Sequence, residues 1–332
     1  MTPANAQSAT LPVTIADIRA AADRIANHAR ITPILRHEDL DARSGGRVFL
    51  KAENLQRTGA FKFRGALNKI AGLQPGLRAR GVVAFSSGNH AQAVAAVAQL
   101  FGIPATIVMP SDAPPVKIAG TRHYGADVRL YDRERESREA IADAIVQETG
   151  AILVPPFEDA AIIAGQGTTG LELVAQCGGA LDAVLIPASG GGLASGIAVA
   201  VNAACPAADI VLCEPEGFDD WGRSLSTGHL SRNKRLSGSI CDALLAPQPG
   251  NIPFAINRAL GARGIAISDD EALAAIAYAY RKLKLVVEPG GAVALAAILA
   301  GKFDAANKRV GVILSGGNVD DAIMARALAT HD

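Results

Sequence analysis

The sequence predicts an α/β protein with open, twisted, mostly parallel sheets wrapped by helices. Three observations point there. Short β-type runs alternate with Ala-rich helical stretches along nearly the whole chain. Three of those runs end in glycine loops that carry small hydrogen-bonding side chains. The composition is that of a sizeable globular enzyme: 332 residues, 49% hydrophobic, 19% charged and 34 glycines.

Taken in order, the runs Val48–Leu50, Gly81–Phe85, Ala105–Met109 and Asp127–Tyr131 are short, apolar and β-prone. So are Ala151–Val154, Ala183–Pro187, Ile210–Cys213 and Val310–Leu314. Between them, helices are expected over Ala16–Ala29, His90–Phe101, Ser137–Glu148, Gly192–Ala204, Asp269–Leu283 and Val293–Ala300. The Ser268-Asp269-Asp270-Glu271 segment has the spacing of a capping box and marks a helix start. No internal repeat or low-complexity linker interrupts the pattern.

Several function classes are excluded early. Basic and acidic residues balance at 32 each, which leaves no electrostatic footprint for nucleic acid or an anionic membrane. No apolar run is long enough for a bilayer, and the N-terminal segment lacks the layout of a signal peptide. Cys177, Cys205, Cys213 and Cys241 are too widely spaced for a zinc set or a secreted disulfide framework. The expected compartment is the cytoplasm.

In open parallel sheets, ligands sit beyond the carboxyl ends of the strands. Three such ends are Ser86-Ser87-Gly88-Asn89-His90, Ser189-Gly190-Gly191-Gly192-Leu193 and Ser315-Gly316-Gly317-Asn318. The second suits a phosphate, because consecutive glycines expose backbone N–H groups at a helix start. A tight strand–helix turn would look the same. A dinucleotide fingerprint fits less well, since its third glycine would fall at Ser195 and the glycine is Gly196. In the first loop, Asn89 could bond a phenolic oxygen and Ser87 could carry a proton, while His90 reads as structural at a helix start.

Lys62 lies between Phe61 and Phe63 in a glycine-bracketed turn. Desolvation by such neighbours disfavours the ammonium and frees the amine for Schiff-base chemistry. A lysine snorkelling over a core edge shares this pattern.

Six segments together resemble the fold-type II pyridoxal-phosphate (PLP) enzymes, the tryptophan synthase β-like fold, of the serine/threonine dehydratase and serine racemase family. They are Gly59-Ala60-Phe61-Lys62-Phe63-Arg64-Gly65-Ala66, Ser87-Gly88-Asn89-His90-Ala91-Gln92, Ala164-Gly165-Gln166-Gly167-Thr168, the Ser189 loop, Val287-Glu288-Pro289-Gly290-Gly291-Ala292 and the Ser315 loop. The resemblance runs from about Ile15 to Ala327. It implies that Lys62 binds the cofactor's aldehyde, that Phe61 packs on the pyridine ring and that Asn89 meets the ring hydroxyl. Gly190, Gly191, Gly192 and Leu193 would hold the phosphate, and Ser315 would face the pyridine nitrogen.

A serine there, unlike a carboxylate, would leave that nitrogen unprotonated, which favours β-elimination over transamination. Ser86, Ser87, Gly88 and His90 would surround the substrate. The resemblance also implies a large cofactor domain (residues 1–79 and 155–332) and a small mobile domain (residues 80–154). A divalent cation, Mg²⁺, Ca²⁺ or Mn²⁺, would bind Glu214, the Phe218 carbonyl and Asp220. An acidic surface loop is the other reading of that segment.

The expected activity is a hydroxyamino-acid ammonia-lyase, converting L-threonine or L-serine to a 2-oxo acid and ammonia in a homodimer. Ser87 keeps serine racemase and L-threo-3-hydroxyaspartate dehydratase open, because a hydroxyl opposite Lys62 could reprotonate Cα. Arg138 either binds a distal substrate carboxylate or is an ordinary helix-surface arginine. Feedback by isoleucine is not expected, since the family's regulatory domain would lie beyond Asp332.

Overall fold

The computed structural model describes residues 11–330 apart from Ser87, Pro114 and Arg133. Ten strands occupy Ile34–Leu35 (β1), Arg47–Ala52 (β2), Val82–Phe85 (β3), Ala105–Pro110 (β4), Asp127–Tyr131 (β5), Ile152–Leu153 (β6), Ala183–Pro187 (β7), Asp209–Pro215 (β8), Arg263–Ile267 (β9) and Arg309–Leu314 (β10). They form a six-stranded sheet ordered β1-β2-β10-β7-β8-β9 and a four-stranded sheet ordered β5-β4-β3-β6. Among these described strands only β1 runs antiparallel to its neighbour; every other strand pairing is parallel. All eight strands expected from the sequence are present, within a few residues of their expected ends. β1 and β9 were not expected.

The central strands are buried on both faces, as parallel strands between helices must be. All five residues of β7 are buried, and Val312 of β10 lies in register with Leu50 of β2 and Leu185 of β7. The helix Pro289–Leu299 is buried along almost its full length and packs on this sheet and on the helix Asp269–Tyr278. A capping box does open the latter helix: Ser268 Oγ accepts from Glu271 N, and the Glu271 carboxylate accepts from Ser268 N.

The helices Ala160–Gln176 and Gly192–Ala204 approach closely through glycines. A Cβ on Gly196 would fall 2.4 Å from the Ile163 carbonyl oxygen and 2.5 Å from the Gly167 nitrogen, so no larger residue fits. This contact brings the helix after the Ser189 glycine loop against the helix that follows Pro156-Phe157. The segment around Lys62 differs from the expected turn. Lys62 is the first residue of a helix, Lys62–Ala71, and is presented at its N-terminal end.

Candidate active site

A hydrogen-bond lattice joins the loop that leaves β10 to the segment before Lys62 and to the helix start after β3. Phe61 N donates to the Ser315 carbonyl at 3.1 Å, and Gly317 N donates to the Gly59 carbonyl at 2.9 Å. Asn318 Nδ2 donates to the Thr58 carbonyl at 2.9 Å and to Asn89 Oδ1 at 2.8 Å. Asn89 Nδ2 donates in turn to Glu288 Oε1 at 2.6 Å. Lys62, Asn89 and Ser315 therefore share one site although they come from three separate loops.

Lys62 Nζ donates to the Pro156 carbonyl at 2.9 Å and stands 5.1 Å from the centroid of the Phe61 ring. Desolvation by burial pulls its pKa down from 10.5 to about 8. That supports the reading of a reactive amine, since a snorkelling lysine keeps its ammonium in water. The next residue after Pro156 continues the wall toward the glycine loop. A Cβ on Gly190 would fall 2.2 Å from the Phe157 ring, and one on Gly192 would fall 3.1 Å from Phe157 Cβ.

At Gly191 the backbone turns through φ +95°, a conformation that suits glycine, and the helix Gly192–Ala204 begins at the next residue. The first amides of that helix have no intrahelical acceptor and point out of its N-terminus. These features fit a phosphate cradle. The whole constellation fits PLP: a desolvated lysine, hydrogen-bonding side chains from separate segments and a helix N-terminus suited to an anion.

His90 is buried, and its Nε2 lies 2.8 Å from the Val154 carbonyl oxygen. Desolvation, followed by the nearby Lys62 charge, lowers its pKa to about 3, so it is neutral at physiological pH. The imidazole braces the start of the helix Asn89–Phe101. Ser86 Oγ accepts from Gly88 N at 3.2 Å, which shapes the turn before that helix. The Ser87 assignment lies outside the described residues. The Arg138 guanidinium lies 5.0 Å from the Phe85 ring centroid, while its Nε donates to Glu139 at 2.8 Å. Phe85 immediately precedes the Ser86 loop, but its ring packs on the face of the four-stranded sheet that carries Ile141 and Ile145, and Arg138 is partly engaged there by Glu139.

The acidic segment after β8 does not form an exposed loop. Glu214, Phe218 and Asp220 are all buried. The Glu214 carboxylate accepts from Trp221 N at 2.8 Å and Gly222 N at 3.0 Å. Burial raises the Glu214 pKa well above its ordinary value, and burial likewise lifts Asp220 to about 6. Asp220 Oδ1 accepts from Asn233 Nδ2 at 2.6 Å, whereas Oδ2 is buried without a partner. Among the described residues no three His, Cys, Asp or Glu side chains converge on a metal position. A cation here would need carbonyl oxygens and waters besides the two carboxylates, a donor set that suits a hard divalent ion.

Glu288 belongs to the Val287–Ala292 motif, and the sequence assigns it no role. It is buried beside Asn89, and burial, reinforced by the Asp242 charge, raises its pKa to about 7. Asn318 and the ion pair between Lys117 and Asp242 are further participants that were not singled out. The one available signal was an acid set within the apolar Val287-Glu288-Pro289-Gly290-Gly291 segment.

The chain and its fold match known proteins. Residues 25–316 match the family described as pyridoxal-phosphate dependent enzymes. This chain belongs to that family. It is 42% identical over 310 residues to the L-threo-3-hydroxyaspartate ammonia-lyase of Saccharomyces cerevisiae, covering 92% of this chain and 94% of the relative. It is 40% identical over 310 residues to the L-threonine ammonia-lyase of Thermotoga maritima, covering 93% of this chain and 76% of the relative. The structure of maize serine racemase superposes with a TM-score of 0.90 at 38% identity, covering 96% of this chain and 97% of that one. The chain is thus a PLP-dependent enzyme of the fold-type II class, and among the described residues no helix is long and apolar enough to cross a membrane.

Proposed function

We propose that this enzyme is a hydroxyamino-acid ammonia-lyase, eliminating the β-hydroxyl of L-threonine, L-serine or L-threo-3-hydroxyaspartate to give a 2-oxo acid and ammonia. The observation that carries the reading is the desolvated Lys62 amine, held on the Pro156 carbonyl, with the adjacent Phe61 N–H bonded to the carbonyl of Ser315 just after β10. Bound PLP supplies an electron-withdrawing ring that stabilises negative charge at the substrate Cα. Lys62 Nζ would hold the cofactor and, once free, would take the α-proton. The Ser315 hydroxyl would face the ring nitrogen without charging it. Asn89 orients the ring hydroxyl, and Gly190 to Leu193 anchor the phosphate through backbone N–H groups.

Ser86 and Gly88 receive the substrate carboxylate at the start of the helix Asn89–Phe101. Residues 80–154, which carry the four-stranded sheet, act as a small lobe that closes over the substrate and excludes water. The Asn89–Glu288 contact and the Lys117–Asp242 ion pair span the mouth between the two sheets. In this reading Arg138 binds a distal substrate carboxylate, in exchange for its bond to Glu139, which would favour hydroxyaspartate. A divalent cation, Mg²⁺ first, is held by Glu214, Asp220 and the Phe218 carbonyl; the buried, unpartnered Asp220 Oδ2 supports this.

The enzyme works as a homodimer in the cytoplasm. Ile31, Leu55 and Val286 are exposed, and hydrogen bonds from Arg30 to the Leu55 carbonyl and from Asn54 to the Val286 carbonyl hold their segments together. The four cysteines are free and buried, as suits a reducing compartment. Serine racemisation is the second reading, favoured by Ser87 in the sequence.

The test is 2-oxo acid formation from the three substrates, with and without Mg²⁺, beside a Lys62→Ala control. Turnover that vanishes in the control supports the lyase. D-serine without oxo acid makes the enzyme a racemase, and no turnover of any hydroxyamino acid overturns both readings.

A further inference from the structure

One side chain stands between the acidic pair and the glycine loop. Trp221 is the single tryptophan of the sequence and is fully buried. Its backbone N–H donates to Glu214 Oε1 at 2.8 Å, and its indole N–H donates to the Ser189 carbonyl. A Cβ on Gly191 would fall 2.1 Å from Trp221 Cζ2, so the loop backbone lies directly on the indole. Trp221 also follows Asp220, the first residue of the helix Asp220–Thr227. One residue is therefore fixed to the carboxylate site through its backbone and to the phosphate loop through its ring.

The packing leaves little slack. Phe254 lies against the indole with ring centroids 6.4 Å apart, and Pro253 Cβ approaches the same Gly191 position to 2.8 Å. A shift at the start of the helix Asp220–Thr227 must then move either the indole or the Ser189–Gly191 backbone. Close-packed interiors transmit such shifts rather than absorb them. Phe157 supports the loop from another side, at Gly190 and Gly192.

We propose that Trp221 couples cation binding at Glu214 and Asp220 to cofactor binding in the Ser189–Leu193 cradle, so that each tightens the other. The proposal rests on the cation site put forward above. A bound cation draws the two carboxylates together and fixes the helix start. The indole then holds the Ser189 carbonyl and the Gly191 turn in the shape that presents N–H groups to phosphate. Coupling of binding equilibria is reciprocal: the factor by which the cation tightens PLP equals the factor by which PLP tightens the cation.

The experiment is calorimetric titration of Mg²⁺ into the full-length protein, once loaded with PLP and once stripped of it. The variants are Trp221→Leu, Trp221→Phe and Phe157→Leu. Wild type should bind Mg²⁺ several-fold tighter when loaded, within the usual range of about 5- to 150-fold for such coupling. Trp221→Leu should bring the ratio close to one, and Trp221→Phe, which keeps a ring but loses the indole N–H, should at least halve it. Phe157→Leu should weaken PLP while keeping the ratio.

If Trp221→Leu does not fold, Trp221→Phe decides. An unchanged ratio in Trp221→Phe overturns the role of the indole. Equal Mg²⁺ affinity in loaded and stripped wild type overturns the coupling but leaves the cation site standing. Absence of any Mg²⁺, Ca²⁺ or Mn²⁺ binding overturns the cation site and the coupling with it.

Discussion

Asn89 Nδ2 donates to Glu288 Oε1 at 2.6 Å, joining the loop after β3 to the start of the helix Pro289–Leu299. This bond ties the four-stranded sheet to the six-stranded one at the position where Asn89 would meet the cofactor's ring hydroxyl. Burial, and then Asp242, hold the Glu288 pKa near 7, so its charge changes within the working range of pH.

In Glu288→Gln the amide oxygen can still accept from Asn89, so the loop should stay in place while the titration disappears. The folded state holds the Glu288 proton more tightly than the unfolded chain, whose carboxyl titrates near 4.5. Glu288 therefore contributes stability that is present below about pH 4.5 and lost as pH rises toward 7. Chemical denaturation of wild type and Glu288→Gln between pH 5 and 8 should show a fall that is smaller in the variant. An identical pH slope in both proteins would remove Glu288 from the account.

The Lys117–Asp242 ion pair joins the helix Pro115–His123 to the Asp242–Leu244 turn across the same mouth, and Asp242 is half exposed. A pair of this kind contributes at most about 1 kcal/mol to stability. Asp242→Asn should leave the melting temperature nearly unchanged. It should also lower the apparent pKa near 7, since the Asp242 charge helps to keep Glu288 protonated. A pH–rate profile checks this, and a midpoint that moves upward would count against it.

Arg64 is the centre of a buried charge cluster two residues beyond Lys62. Its guanidinium bonds both oxygens of Glu53, at 2.7 and 2.8 Å, and both oxygens of Glu172, at 2.6 and 2.8 Å. Lys51 Nζ adds a third contact to Glu172 at 2.6 Å. Removing one member leaves buried carboxylate charge uncompensated, at a cost of about 3–5 kcal/mol. Arg64→Lys cannot reproduce two bidentate pairs. Arg64→Met should therefore lose most of the stability by urea denaturation, and Arg64→Lys should recover only part of it. Recovery to wild-type stability by lysine would show that geometry is unimportant there.

Much of this architecture was readable because the parallel strands are continuous apolar runs. The bounds of β5, β7 and the helix Gly192–Ala204 agree with expectation at both ends. β1 is two residues long, and β9 is an edge strand with only Ile267 fully buried, so neither carries a clear periodic signal. The helix Ala160–Gln176 was hidden by Gly165, Gly167 and Gly170, which sequence reading treats as breakers and the structure uses for close helix contact.

Within the site, Lys62 and the glycine loops were legible because their chemistry is local. The partnership of Asn89 with Glu288 was not, as those residues are 199 positions apart and only the fold brings them together. The strut between Glu214 and Gly191 was missed for the same reason, since a buried tryptophan looks like core until its neighbours are known.

Burial of His90 makes the folded state sensitive to acid. Its pKa falls from 6.5 to about 3 because burial, and then the Lys62 charge, disfavour the imidazolium. Between those values the unfolded chain binds a proton that the folded chain does not, so stability rises with pH across this window. The contribution is complete above about pH 6.5, and acidification toward pH 3 should remove a few kcal/mol, roughly. In His90→Asn the side-chain amide can still donate to the Val154 carbonyl but cannot take up a proton. The variant should be less stable at neutral pH and should show a shallower loss between pH 6 and 4. A slope as steep as that of wild type, measured by urea denaturation at each pH, would assign the acid sensitivity to other groups.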